Sequence, residues 1–139
     1  AVTDPLTALV AACRALGVRR LALVSPYVAE VSAALRSALE ARGLQIVAFG
    51  SFEESEEQRV ARIDAASVLD AVTGVGSRGH GDAVFVSCTN LRTLDVIPDA
   101  EARLGVPVLA SNQVLAWHLL RSAGIEASPA AGGRLFRQA

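Results

Sequence analysis

Three short polar clusters hold most of the residues in this chain that could do chemistry: Ser25-Pro26-Tyr27, Ser87-Cys88-Thr89-Asn90 and Ser111-Asn112-Gln113. Each ends an apolar run and precedes an amphipathic stretch. The stretch from Val84 to Arg92 reads as a buried strand that delivers Cys88 to a helix N-terminus. A thiol there is a candidate acid, base or nucleophile, because unpaired backbone N–H groups and the helix dipole favour thiolate. Together the clusters offer a thiol, a phenol, amides, hydroxyls and three helix N-termini. That set suits a small molecule bearing a carboxylate.

Other chemistries fit less well. Gly74-Val75-Gly76-Ser77-Arg78-Gly79 matches the letters of a dinucleotide fingerprint. A helical pattern precedes it and the strand-like Ala83–Val86 follows, which is the reverse of the required order. It reads as a surface turn with His80 exposed. Neither histidine is placed to activate Cys88 as a hydrolase nucleophile: His80 lies before the strand, and His118 lies about two turns into a helix, where it reads as a packed structural residue. Proton transfer at a carbon next to a carboxylate fits the thiol better. Cys13 sits on the apolar stripe Leu6, Leu9, Val10, Cys13, Leu16 and reads as a small core residue. Two cysteines and two histidines without ligand spacing predict neither a metal site nor a disulfide framework, and they suit a reducing cytoplasm. All basic residues are arginine, so no side chain of this chain can form a Schiff base.

The clusters need a scaffold that brings them together. Apolar runs at Arg20–Val24, Leu44–Phe49, Ala83–Val86 and Val106–Ala110 read as strands. Helical periodicities separate them, at Leu6–Leu16, Val28–Leu39, Ile63–Val72, up to Leu104, and Val114–Ala123. This order predicts an α/β fold: three layers, α/β/α, around a four-stranded parallel sheet with right-handed crossovers. A parallel sheet puts all strand C-termini on one edge, so the three clusters should meet there. The 139 residues suffice for one lobe, assigned to 1–125, with 126–139 as a loosely ordered tail. The 52% hydrophobic content and mean hydropathy of +0.40 suit a sheet covered on both faces. No apolar run is long enough to span a membrane, and a net charge of −1 points to neither nucleic acid nor an anionic membrane as partner. Glu53, Glu54, Glu56 and Glu57 crowd one segment after the second strand. Two readings stay open for it: a solvated connection into a helix, or an active-site loop.

Several of these residues also carry a resemblance. Ser-Pro-Tyr after the first strand, Val-Ala-Arg-Ile at 60–63, Ser-Cys-Thr-Asn-Leu-Arg-Thr at 87–93, Pro-Val at 107–108 and Ser-Asn-Gln-x-x-Ala-Trp-His at 111–118 resemble the Asp/Glu racemase superfamily. The closest branch looks like maleate cis–trans isomerase, with arylmalonate decarboxylase and the ectoine-utilisation racemase-like proteins nearby. The resemblance implies a cofactor-independent enzyme of two similar lobes, each placing a cysteine in the cleft between them. This chain resembles the second lobe, and the absence of any Met fits a piece of a longer chain. Cys88 then matches the second-lobe catalytic cysteine. Tyr27 matches the tyrosine that hydrogen-bonds a substrate carboxylate, with Ser25 and Pro26 beside it. Thr89 and Asn90, next to Ser87, would place backbone N–H groups on that carboxylate, and Ser111 and Asn112 complete the edge. Glu57 aligns where maleate isomerases carry a substrate-binding Asn. A carboxylate there should repel a dicarboxylate unless it is protonated or points away.

The expected function is an isomerase or racemase lobe acting on a small carboxylate. The alternatives are decarboxylation of a substituted malonate with Cys88 alone as proton donor, and a non-catalytic binding or assembly module. In the last case the exposed half-site would be covered by another copy, a homo-oligomer, in place of the missing N-terminal lobe.

Overall fold

The computed structural model describes residues 2–130 and 132–138. Strand β1 (Arg20–Tyr27) occupies an inner position of a four-stranded sheet, ordered β2-β1-β3-β4, with β2 at Gln45–Glu54, β3 at Ala83–Val86 and β4 at Val108–Ala110. Every pairing is parallel, and Val24 lies opposite Val86, which in turn lies opposite Ala110. The strand C-termini therefore share one edge. The three-layer α/β/α fold with a four-stranded parallel sheet is as the periodicities imply.

Alternation along the strands sorts the core into two faces. Leu21, Leu23, Ile46, Phe85 and Leu109 face one side. They pack against Leu9, Ala12 and Cys13 of α1 (Pro5–Leu16), Leu39 of α2 (Ala29–Glu40), and Val114 and Trp117 of α6 (Ser111–Ser122). Ala22, Val24, Val84, Val86 and Val108 face the other side. There they meet Val60 of the short α3 (Glu57–Val60), Val68 and Val72 of α4 (Ala65–Gly76), and Ile97 and Ala100 of α5 (Ile97–Leu104). The period of two that points Val84 and Val86 to this second face carries on to Cys88, which belongs to the same cluster.

Local chemistry sets the element ends. Asp4 caps α1 by accepting the Leu6 and Thr7 N–H groups at 2.9 Å each, and Gly17 closes it at φ 70°, where a side chain would be strained. Thr3, expected to help start this helix, instead shares a 2.7 Å hydrogen bond with Nδ1 of His118, which stacks beside Trp117. His118 is thus the packed structural residue that its position suggested.

Two sequence expectations need correcting here, the Gly74–Gly79 turn and the loose tail, and two details of the helices emerge only from the structure. Gly74 and Gly76 are the last turns of α4 rather than a surface turn. A Cβ at Gly76 would lie 2.7 Å from the Leu104 and Val84 side chains, so close helix packing explains this glycine. Only the segment after it turns, and His80 is exposed there. Val31 points outward at 49% exposure, while Ser32 occupies the buried side of α2. Ser111 does not cap α6: Ala110 holds the cap position, and its N–H is taken by Oε1 of Gln113 at 3.1 Å. The tail expected to be loosely ordered contributes a 3₁₀ turn at Gly133–Arg137, and Leu135 and Phe136 enter the first core face. Two polar anchors hold it. Gln113 donates to the Gly132 carbonyl, and the buried Glu101 carboxylate accepts the N–H groups of Val108 at 3.0 Å and of Arg134 at 2.9 Å. Ala131 and Ala139 of that tail lie outside the described residues, as does Ala1 of the assigned lobe.

Candidate active site at the C-terminal edge of the sheet

Cys88 lies two residues beyond the end of β3, in a loop rather than at a helix N-terminus. The next helix, α5, begins only at Ile97. Short polar side chains and the demands of Pro98 explain the delay. Pro98 suits the first turn of a helix, and the Thr93 carbonyl accepts the Val96 and Ile97 N–H groups just before it. The thiol is therefore not served by a helix dipole. It is served by two direct donors. The Asn90 N–H points at Sγ from 3.2 Å, and the Tyr27 hydroxyl lies 3.1 Å from Sγ. Cys88 itself is only 4% exposed.

Tyr27 is brought to Cys88 by the end of β1. Val24 pairs with Val86, so the next residues of β1 run alongside Ser87 and Cys88, and the Ser87 N–H donates to the Val24 carbonyl at 2.9 Å. On its other side β1 meets an irregular stretch of β2. Ser25 pairs with Ser51 but Tyr27 pairs with Glu54, so β2 holds one extra residue, and Glu53 takes a left-handed φ of 55°. Ser51 at that bulge donates to the Tyr27 carbonyl, as does Ser32 of α2 at 3.1 Å. Ser25 is fully buried, and its Oγ accepts the Tyr27 N–H at 3.2 Å and the Ser32 hydroxyl at 3.1 Å. Three serines thus fix the Tyr27 backbone. Pro26 is buried between them. Burial, then the hydrogen bond and charge of Cys88, and then the nearby Glu57 carboxylate hold the Tyr27 phenol well above its ordinary pKa. A phenol so held stays protonated and has a proton to give to the sulfur whenever the thiol is ionised.

The remaining edge residues close the loop around the thiol. Asn90 donates its amide to both the main chain and the side chain of Glu57, at 3.1 Å to the carbonyl and 3.0 Å to Oε2. Asn112, early in α6, donates to the Thr89 carbonyl at 2.7 Å. Thr89, Asn90, Asn112 and Glu57 are exposed, Ser87 is half-buried and Ser111 is buried at the start of α6. Of the ten residues singled out from sequence, Tyr27, Cys88, Asn90 and Glu57 form one connected group, and Thr89 and Asn112 adjoin it. Ser25 and Pro26 lie beneath it as support, and no hydrogen bond ties the side chains of Ser87 or Ser111 to it. The Asn90 N–H, expected to meet a substrate carboxylate, is directed at sulfur. Sequence reading missed Ser32 and Ser51. Ser32 could have been noticed as a polar residue on the 28–32–35–39 stripe of a helix.

Residues 2–136 match the family model described as arylmalonate decarboxylase. The chain belongs to this family. It is 38% identical over 132 residues to the arylmalonate decarboxylase of Bordetella bronchiseptica, covering 94% of this chain and 55% of that protein. It superposes with a TM-score of 0.93 and 30% identity on the Nocardia farcinica maleate cis–trans isomerase bound to TRIS, over 99% of this chain and 56% of that one. A cysteine-to-serine mutant of the same isomerase, with a covalently bound succinylcysteine intermediate, aligns at a TM-score of 0.91 and 29% identity, over 97% and 55% of the two chains. The relatives of this family thus include an isomerase and a decarboxylase, and the resemblance to the Asp/Glu racemase superfamily holds. The chain spans about half the length of the curated relatives it matches. Among the described residues, no helix is long and apolar enough to cross a membrane, and no cluster of His, Cys, Asp and Glu suits a metal ion.

Proposed function

We propose that the complete protein is a cofactor-independent isomerase or racemase of small carboxylates, and that this chain is its second lobe. Cys88 exchanges a proton with the substrate carbon next to a carboxylate. A first lobe, earlier in a longer chain, supplies the facing wall of the cleft and a second thiol. Tyr27 and the Asn90 N–H stabilise the Cys88 thiolate when the proton has left, and Tyr27 can turn its hydroxyl to a substrate carboxylate. Thr89 and Asn112 border the same opening, and the setting is the cytoplasm.

The observation that carries this reading is the convergence of a phenol and a backbone N–H on one thiol, at 3.1 and 3.2 Å. Two donors aimed at sulfur make the thiolate reachable without a histidine. Succinylcysteine in the Nocardia isomerase supports thiol chemistry in the family. A decarboxylase is the second reading, favoured by the 38% identity to the Bordetella enzyme. In it, Cys88 alone donates a proton to the carbanion left by loss of carbon dioxide.

The test is Cys88→Ser in the complete protein, assayed with maleate, aspartate and a phenyl-substituted malonate. Loss of turnover with an unchanged circular dichroism spectrum is expected, and full activity in the variant would overturn the proposal. Which wild-type substrate is consumed separates the two readings.

A further inference from the structure

Glu57 is tied to the Cys88 loop through Asn90, and among the described residues no cation lies within ion-pair distance of it. Among the described residues its partners are an amide, Asn90 Nδ2 at 3.0 Å from Oε2, and the Tyr27 phenol, whose properties respond to its charge. The ion pairs Arg36–Glu40 and Arg59–Glu56 leave it out. Its position is well determined, because Asn90 grips its backbone carbonyl as well as its carboxylate and carries the Cys88 loop with it. Glu57 is also exposed. A substrate carbon close enough to exchange a proton with Sγ must carry its neighbouring groups against Tyr27, Asn90 and Glu57.

We infer that Glu57 is the specificity-determining residue of the Cys88 site, and that it selects a small carboxylate whose second polar group is a hydrogen-bond donor over a dicarboxylate. The inference rests on the proposed function, since it concerns the substrate of that site. Its basis is elementary. A carboxylate that already accepts from an amide can accept from one more N–H donor, an amide or an ammonium. Two carboxylates at contact distance repel, and a first lobe that closes over the site would screen that repulsion less than open water does. The Asn90 amide, which could otherwise have met a second substrate carboxylate, is already engaged by Glu57.

The test compares maleate with its monoamide, which keep the same carbon skeleton and differ only in the second polar group. Binding to the complete wild-type protein is measured by calorimetry alongside turnover. The monoamide should bind roughly tenfold or more tightly than the diacid. Glu57→Gln keeps the acceptor for Asn90 and nearly the same shape while removing the charge. This variant should narrow or invert the preference, chiefly by tighter binding of maleate, and its turnover ratio should move the same way. Equal wild-type binding of acid and amide overturns the inference, as does a ratio that the substitution leaves unchanged. So does weaker maleate binding in the variant, which would mean that Glu57 is protonated and donates. In those cases turnover of maleate by wild type leaves the proposed function standing. If the complete protein turns over none of the small carboxylates, the proposed function falls, and this inference with it.

Discussion

The two cysteines of this chain are almost equally buried and lie in opposite surroundings. Cys13 is 1% exposed, on the face of α1 that packs against Leu21, Leu39 and their neighbours. Burial pushes its thiol up to about 12. Cys88 is 4% exposed, but its sulfur receives the Asn90 N–H and the Tyr27 hydroxyl. Depth therefore does not decide reactivity. Whether the surroundings offer donors to the charged form does, and in a parallel sheet donors collect at the C-terminal edge, where strands stop and backbone groups come free. Cys13 sits mid-helix, where every nearby N–H already serves the helix.

The sharpest way to break this contrast is to remove each thiol in turn from the complete protein. Cys88→Ala should lower turnover by roughly 10²–10⁴-fold, the usual range for a positioned acid or base, with little change in melting temperature. Cys13→Ala should leave turnover within about twofold, because it packs in the core face opposite the one that holds Cys88. Equal losses in the two variants would show that both act through packing. The next largest effect concerns the Cys13 side alone. Leu135 is fully buried against that core face, so Leu135→Ala should cost about 2–4 kcal/mol in chemical denaturation. The kinetic constants of the folded fraction should stay as they were. A third variant, Tyr27→Phe, removes the donor to Cys88 and keeps the ring. A loss of about one hydrogen bond to a charged group predicts a fall of roughly ten- to a hundredfold in kcat and an alkaline shift of the pH–rate profile. An unchanged profile would mean that Tyr27 serves only in packing.

Much of this was legible in the sequence. The four parallel strands and their shared edge follow from apolar runs punctuated by Gly and from the alternation of helix and strand. Cys13 was legible too, since a helical stripe defines its surroundings. Less legible was how Cys88 is served. A loop from Ser87 to Val96 replaces the expected helix start, and the donor from Tyr27 depends on a bulge in β2 around Phe52 and Glu53, a register irregularity that no local pattern encodes. The strand ends were read too short for the same reason: Ser25-Pro26-Tyr27 reads as a break, yet Ser51 and Ser32 hold it in the sheet. The tail was misread because two small residues, Gly132 and Gly133, and an Arg-rich composition hide Leu135 and Phe136. What fixes it is long-range: the buried Gln113 and Glu101, each of which also serves an N–H group at β4.

The smallest effect tests the inert thiol directly. Burial raises the folded Cys13 thiol from the ordinary cysteine value of about 9 to about 12. The folded state thus keeps a proton that the unfolded state has lost. Stability from this group is fully present below pH 9 and is lost as pH rises from about 9 towards 12, at up to about 1.4 kcal/mol per pH unit. Tyr27, also held above its ordinary value, adds to the same alkaline limb from about pH 10 upwards. Cys13→Ala should therefore cost about 1 kcal/mol at pH 7, through the lost sulfur contacts, and then make the alkaline limb shallower. The check is a set of urea denaturation curves between pH 7 and 10.5. If wild type and variant lose stability in parallel across that range, the core does not hold this thiol in its neutral form, and the contrast between the two cysteines must rest on the Cys88 donors alone.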